Sequence, residues 1–237
     1  MGYLKMKNKE KNQVECPCCH WQGEFFMARR FRKNEVCPKC GSRKRHRLHY
    51  LYIKYKDVID IFRPIKVLHF APERCLKALF KSYPNVDYLS ADLVSPEAMV
   101  KEDLTKLSFK DNTFDIIFAS HVLEHIEDDR KAMSEVYRVL KTGGIAILQV
   151  PIQDRDKTYE DFSIKDPQER FKAFGQTDHV RIYGRDYKDR LREVGFKVRI
   201  SRFADSLDDE VIKQYVLSKE SIYLCKKEWG SGRGEVS

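Results

Sequence analysis

The chain has 237 residues, enough for one full α/β domain and a small additional module. It contains no run of 18 apolar residues and no N-terminal apolar core of a signal peptide, which predicts a cytoplasmic protein without membrane insertion. The net charge of +9 is concentrated in residues 1–64, which hold 16 Lys and Arg against 6 Asp and Glu, whereas the remainder holds 29 against 30. This asymmetry indicates different roles for the two parts.

The N-terminal quarter carries a cysteine pattern typical of a zinc ribbon. Seven cysteines in an intracellular chain favour metal binding over disulfides. Two C-x2-C pairs separated by 17 residues supply four thiolates: Cys16, Cys19, Cys37 and Cys40. Cys18 could replace Cys16 or Cys19, but the two-residue gap favours the outer pair. Four thiolates leave no position for water, so the spacing predicts a structural Zn²⁺ in a module over residues 1–42, with residues 1–13 frayed.

Residues 43–63 predict a helix that connects this module to the main domain. Their apolar side chains fall on one helical face: Leu48, Leu51, Tyr52, Tyr55, Ile59 and Phe62. The start of the helix, Arg43–Arg47, is strongly basic. It is either a phosphate-binding patch for RNA or a phosphorylated substrate, or a solvated helix end, and both interpretations stay open.

From residue 64 onward, short apolar runs alternate with helical stripes, which predicts strands joined by helices in an open parallel sheet. The predicted strands are Ile65–Phe70, Val86–Ala91, the segment VKED, Phe114–Ala119, Ile145–Val150, Phe196–Phe203 and Ser221–Lys226. The predicted helices are Ala71–Lys81, one through Met133, Val136, Tyr137 and Leu140 that Gly143 and Gly144 stop, and one through Tyr187, Leu191 and Val194. Residues 151–183 form a long polar and aromatic insertion, and residues 228–237 form a flexible tail.

This order of elements, with the segments FDIIFASHVLEHI and RVLKTGG, resembles the class I S-adenosylmethionine-dependent methyltransferases, and most closely their type 11 group. The resemblance covers residues 64–227. It implies a Rossmann-like seven-stranded sheet with helices on both faces and a final antiparallel hairpin. It also implies S-adenosylmethionine as cofactor, with residues 151–183 covering the substrate.

Matched position by position, the resemblance implies a set of cofactor-binding residues. An acid after the second strand holds the ribose hydroxyls, a later acid contacts the adenine, and the residues after the fourth strand line the place of methyl transfer. These are Asp92 with Leu93, Asp103 with Leu104, and Ser120 with His121.

The first loop departs from the acid-x-Gly-x-Gly pattern of the family. HFAPE stands there instead, with His69, Ala71 and Glu73 at the three defining positions. Ala71 is nearly as small as glycine, and we expect Glu73 to pair with the ammonium group of the cofactor in place of the missing acid. The alternative is a domain that has lost its cofactor.

Methyl transfer to an alcohol requires a base. His179 in the insertion is the first candidate, His121 the second and His125 the third. The expected substrate-facing neighbours are Arg170, Asp178, Arg181 and Tyr183. The predicted function is methyl transfer to a small-molecule or sugar-linked acceptor. Two alternatives remain: an RNA methyltransferase that grips RNA with the ribbon and Arg43–Arg47, and an inactive binding protein with this fold.

Overall fold

A computed structural model describes residues 13–29, 32–56, 58–60 and 62–229. Most of the predicted frayed N-terminus and of the predicted tail 228–237 therefore lies outside the described residues. The chain divides into two compact units. The ribbon unit contains the residues up to Arg63, Glu73–Asn85 and Ser201–Ile222, and the sheet unit contains Pro64–Pro72, Val86–Ile200 and the residues from Tyr223.

The helices and strands, in chain order, are β1 (Val14–Glu15), β2 (Gln22–Gly23), β3 (Met27–Arg29), β4 (Arg32–Val36), α1 (Lys44–Tyr55), β5 (Ile65–Phe70), α2 (Arg74–Lys81), β6 (Val86–Asp92), β7 (Val100–Lys101), β8 (Phe114–Ser120), a 3-10 turn (Leu123–His125), α3 (Asp129–Val139), β9 (Leu140–Gln149), β10 (Tyr159–Glu160), α4 (Pro167–Phe174), β11 (Arg181–Ile182), α5 (Tyr187–Glu193), β12 (Lys197–Ser201), a second 3-10 turn (Phe203–Ser206), α6 (Asp209–Tyr215) and β13 (Ile222–Lys226). Among the residues that the structure describes, no helix combines the length and hydropathy needed to cross a membrane.

The sheet unit is built on a seven-stranded mixed sheet with the strand order β12-β13-β9-β8-β5-β6-β7. Strands β7, β6, β5, β8 and β9 are parallel, and β13 runs antiparallel to β9. The central strand β8 is buried along its whole length, as its apolar run predicts. The predicted Rossmann-like seven-stranded sheet is confirmed.

The strand register aligns the carboxyl ends of the parallel strands with one another. Phe70 pairs with Ala91 on one side and with Ala119 on the other. Ser120, the last residue of β8, pairs with Gln149 of β9. The carboxyl ends of four parallel strands therefore meet at one edge, where ligands of open α/β sheets bind.

The predicted end of the connecting helix is wrong. Helix α1 stops at Tyr55, so Ile59 and Phe62 lie beyond it. The side-chain amide of Asn85 donates hydrogen bonds to the carbonyl oxygens of Asp60 and Arg63, both at 2.8 Å. These bonds hold Asp60 and Arg63 beyond the end of the helix, which sequence periodicity does not reveal.

The boundary between α3 and β9 is also displaced from the prediction. The helix ends at Val139, and the two glycines lie inside the segment assigned to β9. The ammonium of Lys227 donates to the carbonyl oxygens of Tyr137 and Leu140, both at 2.9 Å, and so caps the helix. A residue distant in sequence therefore ends this helix.

Three further elements differ from the predictions. Helix α2 begins at Arg74, so Ala71–Glu73 precede it. The predicted strand Phe196–Phe203 shortens to β12, and α6 follows before β13. The insertion at residues 151–183 contains β10, α4 and β11.

Candidate cofactor and acceptor site

The loop after β5 keeps a glycine-like backbone although it lacks the family's glycine. Ala71 has a φ of +48°, in the left-handed region. Its amide donates to the carbonyl oxygen of Ala91 at 3.0 Å, which holds the loop against the end of β6. A left-handed conformation costs an alanine roughly 1–2 kcal/mol, so the surrounding structure has to impose it.

His69 is a buried residue of the sheet interior. Its Nδ1 lies 3.1 Å from the hydroxyl oxygen of Tyr88, and its ring packs edge-on against Phe118 with centroids 5.1 Å apart. These contacts account for a histidine at this position. Its predicted contact with the cofactor stays a prediction.

The two acids assigned to the cofactor each use one carboxylate oxygen to order their own loop. Oδ1 of Asp92 accepts hydrogen bonds from the amides of Val94 and Ser95, at 2.8 and 2.7 Å. Oδ1 of Asp103 accepts from the amide and the hydroxyl of Thr105, both at 2.8 Å. The described residues supply no hydrogen bond to either Oδ2, so each loop presents an oriented acceptor.

The leucines beside these acids differ in exposure. Leu104 is buried in the core of the sheet unit, so only its backbone can serve a ligand. Leu93 is 51% exposed. An exposed leucine next to a carboxylate suits the face of a nucleoside.

The end of β8 carries a second left-handed residue. His121 has a φ of +59°, and its amide donates to the carbonyl oxygen of Gln149 at 2.8 Å. The hydroxyl of Ser120 is buried and has no hydrogen-bond partner among the described residues. Strained backbone and an unsatisfied hydroxyl at a strand end are features of functional sites.

Three histidines meet around a buried acid just beyond this strand. Nδ1 of His121 lies 3.0 Å from Oε1 of Glu124. The rings of His125 and His179 pack edge-on with centroids 4.7 Å apart. The amide of Val180 donates to the carbonyl oxygen of Glu124 at 3.0 Å, which brings the two segments together. The prediction included the histidines and missed Glu124, although the spacing H-x-x-E-H places it among them.

Burial sets the protonation of His179. Removal from water lowers the pKa of its imidazole from the ordinary value, and the nearby Glu124 carboxylate opposes this shift. A neutral imidazole at neutral pH can act as a base or as a metal ligand.

Of the predicted substrate-facing residues, one is exposed, one is half-buried and two are fully buried. Asp178 is exposed, and its Oδ2 lies 3.3 Å from Nδ1 of His125. Nε of Arg170 donates to the carbonyl oxygen of Ile164 at 2.9 Å. For these two, contact with substrate stays a prediction.

Arg181 and Tyr183 are fully buried in the sheet unit. The guanidinium of Arg181 donates to the carboxylate of Glu160 and to the carbonyl oxygens of Leu123, Ile126 and Glu127. The hydroxyl of Tyr183 donates to Asp129 at 2.7 Å. Arg181 fixes the insertion to the loop before α3 and Tyr183 fixes it to the first residue of α3, and contact with substrate would require these bonds to open.

Glu73 belongs to the ribbon unit. Its Oε1 lies 3.7 Å from Nε2 of His46, and both side chains are largely buried. Its predicted pairing with the cofactor ammonium stays a prediction.

The ribbon unit brings the four predicted metal ligands together. The sulfur atoms of Cys16 and Cys40 are 3.6 Å apart, as are those of Cys19 and Cys37. A tetrahedral zinc site with bonds of about 2.3 Å has sulfur–sulfur edges of about 3.8 Å, so the set fits Zn²⁺. Cys18 lies outside this set of ligand atoms.

One of the basic residues at the start of α1 is buried and therefore unavailable to a phosphate. Arg47 is fully buried, and its guanidinium donates to the carbonyl oxygens of Tyr215 and Val216 at 2.7 and 2.9 Å. It also lies over the ring of Phe26, 3.9 Å from the centroid. Arg47 therefore holds the ribbon unit together.

Comparisons with known proteins agree with this geometry. Residues 65–148, about a third of the chain, match a family described as a methyltransferase domain. The demethylmenaquinone methyltransferase of Bacteroides fragilis is 44% identical over 68 residues, which are 28% of this chain and 28% of that protein. The chain thus spans less than a third of the length of the first relatives that it matches.

Two solved structures share the fold over most of the chain. The (4+2)-cyclase SpnF has a TM-score of 0.52 at 16% identity, over 78% of this chain and 81% of that one. The 1,6-didemethyltoxoflavin-N1-methyltransferase of Burkholderia thailandensis, solved with S-adenosylhomocysteine, has a TM-score of 0.50 at 15% identity, over 71% and 73%. At such identities the likeness shows the fold alone. Residues 65–148 are thus similar to a methyltransferase domain, and the sheet has the fold of these solved structures.

Proposed function

We propose that this protein transfers a methyl group from S-adenosylmethionine to a small-molecule or sugar-linked acceptor. The observation that carries the proposal is the pair of oriented carboxylates, Asp92 and Asp103, beside the left-handed Ala71 loop at one sheet edge. This arrangement suits a ribose and an adenine, and the family match covers the same segment.

The residues of the chain have distinct roles in this reaction. S-adenosylmethionine would supply a methyl group on a sulfonium, which is already activated for transfer. Oδ2 of Asp92 would accept hydrogen bonds from the ribose hydroxyls, and Asp103 with the backbone of Leu104 would contact the adenine. Ser120 and His121 would line the place of transfer and align the acceptor. For an alcohol acceptor, His179 or His121 would take the proton.

Calorimetric binding of S-adenosylmethionine tests the cofactor site. Asp92→Asn should weaken binding roughly 10–100-fold, because it removes hydrogen bonds to a charged group that contribute about 1.5–3 kcal/mol. Asp87→Asn is the matched control on the same strand, since the Asp87 side chain is 73% exposed and 3.8 Å from Lys66. Absence of binding by the unmodified protein would instead favour an inactive binding protein.

The acceptor class requires a separate experiment. The protein is incubated with radiolabelled S-adenosylmethionine and cell extract, and RNA, protein and small molecules are then separated. Label in the small-molecule fraction is expected. Label in RNA that disappears when Arg43, Lys44 and Arg45 are neutralised would favour the RNA alternative. Arg47 is left unchanged because its charge is buried.

We also propose that Cys16, Cys19, Cys37 and Cys40 hold a structural Zn²⁺. The two halves of the set are similar turns. The amide of His20 donates to the carbonyl oxygen of Cys16, and that of Gly41 to the carbonyl oxygen of Cys37, at 2.8 and 2.9 Å. Zinc content should stay near one equivalent in Cys18→Ser and fall in Cys19→Ser. The reverse result would assign Cys18 as the ligand.

A further inference from the structure

The histidine cluster beyond β8 contains a carboxylate whose burial is not explained by its protein contacts. Glu124 is fully buried, and neither of its carboxylate oxygens has a hydrogen bond within the described residues. An isolated buried carboxylate costs several kcal/mol unless a cation or hydrogen bonds compensate it. Nε2 of His179 is also buried without a hydrogen-bond partner among these residues.

An ion pair with His121 accounts for only part of this arrangement. Nδ1 of His121 is 3.0 Å from Oε1 of Glu124, which places one imidazole beside one oxygen. Oε2 of Glu124 and Nε2 of His179 remain without partners in the described part of the chain. A compensating group is therefore needed that contacts several of these atoms at once.

We infer that Glu124, His125 and His179 form a binding site for a divalent transition-metal ion. One ligand atom from each of the three side chains lies within 4.8 Å of the others. A metal at their centre would satisfy the buried carboxylate and the buried imidazole together.

The donor set indicates which metals fit. Two imidazoles and one carboxylate suit Zn²⁺, Fe²⁺ and similar ions, whereas Mg²⁺ and Ca²⁺ prefer oxygen donors alone. Three protein ligands leave open positions for water or for an oxygen atom of a substrate. This site differs from the four-cysteine set, where no position is open.

The neighbouring groups support three fixed ligands. Nδ1 of His125 lies 3.3 Å from Oδ2 of Asp178 and 3.2 Å from its backbone carbonyl oxygen. A carboxylate on one ring nitrogen orients the imidazole of metal-bound histidines in the same way. The hydrogen bond from the Val180 amide to the Glu124 carbonyl oxygen, at 3.0 Å, keeps His179 beside the other two ligands.

The metal site changes the expected role of His179 in the proposed methyl transfer. A ring nitrogen that coordinates a metal has no lone pair left to accept a proton. With metal bound, the proton of an acceptor hydroxyl in an open position would pass to His121, the other candidate base, because the cation would stabilise the alkoxide that is left. This consequence rests on the proposed function, whereas the metal site itself does not.

Cobalt binding to the zinc-loaded full-length protein tests the inference. Co²⁺ in a nitrogen and oxygen site gives visible ligand-field bands, whereas thiolate ligation adds charge-transfer bands in the near ultraviolet. The protein should bind one further equivalent of Co²⁺ without thiolate bands, and its thermal midpoint should rise. Glu124→Gln and His179→Gln should each weaken this binding at least tenfold.

Two further histidine variants serve as the control and the replacement variant in the cobalt-binding experiment. His20→Gln replaces an exposed histidine outside the cluster and should bind cobalt normally. If His179→Gln does not fold, His125→Gln replaces the more exposed ligand. No further equivalent in the unmodified protein, or equal binding by Glu124→Gln, would overturn the inference. Binding of S-adenosylmethionine by Glu124→Gln is measured in parallel, and it fails only if the proposed function fails.

Discussion

Replacing Arg181 with methionine separates a structural role from substrate binding. The Arg181 side chain is inaccessible to solvent, and its Nε donates to the Glu160 carboxylate at 2.9 Å. Its other nitrogens donate to three carbonyl oxygens of the loop before α3, including those of Leu123 at 2.9 Å and Glu127 at 2.7 Å. Methionine keeps much of the apolar volume and removes every donor.

The expected loss in the free energy of unfolding depends on which polar groups are left without a partner after the substitution. Removing Arg181 should cost about 3–5 kcal/mol, because three carbonyl oxygens lose their donor at roughly 1–3 kcal/mol each, whereas Glu160 stays hydrogen-bonded to Arg190. For a chain of this size, 1 kcal/mol corresponds to roughly 2–4 °C in the thermal midpoint. Arg181→Met should therefore lower the midpoint by roughly 6–20 °C.

Arg185→Met is the matched control for this substitution. Arg185 pairs with Asp154 and Asp156 at an exposed position, where ion pairs contribute little. Its midpoint, measured by calorimetry and by urea unfolding, should stay close to that of the unmodified protein. If Arg181→Met unfolds like the control but raises the KM for the acceptor, Arg181 binds substrate and the structural interpretation is wrong.

Three further predictions concern the backbone and the acid response of the sheet unit. Ala71→Gly should raise the thermal midpoint slightly. The substitution relieves roughly 1–2 kcal/mol of left-handed strain, which exceeds the cost of about 0.4–1 kcal/mol from the greater entropy of the unfolded chain. A clear drop in the midpoint would show that packing of the alanine methyl stabilises the fold. Gly144→Ala should lower the urea midpoint markedly, because a Cβ there would lie 2.8 and 2.9 Å from the carbonyl oxygens of Lys141 and Asp115; an unchanged midpoint would mean that this turn relaxes. The Arg138 hydrogen bonds lower the pKa of Glu135, so its stabilising effect is present above the ordinary value of 4.5 and is lost as the pH falls through the lowered one. The midpoint difference between the unmodified protein and Glu135→Gln should therefore shrink in acid, and a constant difference would contradict this linkage.

Local patterns were enough to predict the strands at the centre of the sheet. Ile65–Phe70 and Phe114–Ala119 are apolar runs between turn residues, and both form parallel strands as expected, the second extended to Ser120. Burial on both faces leaves few alternatives for such runs. The resemblance added the strand count and the cofactor, which periodicity alone did not supply.

The predictions failed where residues far apart in sequence decide the outcome. Lys227 ends α3, and Asn85 holds the turn beyond α1. Arg181 was predicted to face the substrate, which stays a prediction; its hydrogen-bond partners come from segments whose proximity requires the folded chain. Glu124 was missed because its sequence position, between two histidines, does not show that its side chain is buried.

The contacts of Arg181 also bear on how the insertion at residues 151–183 would admit the acceptor of the proposed reaction. Its second strand, β11, is tied to the loop before α3 by buried bonds, so its displacement would expose a charged network. Helix α4 has only Phe174 buried, and an exposed pair joins Lys165 to Glu127 at 2.7 Å. Opening that pair costs little. In the proposed reaction, β11 would therefore stay fixed, and an acceptor would enter past α4, whose described contacts are weaker.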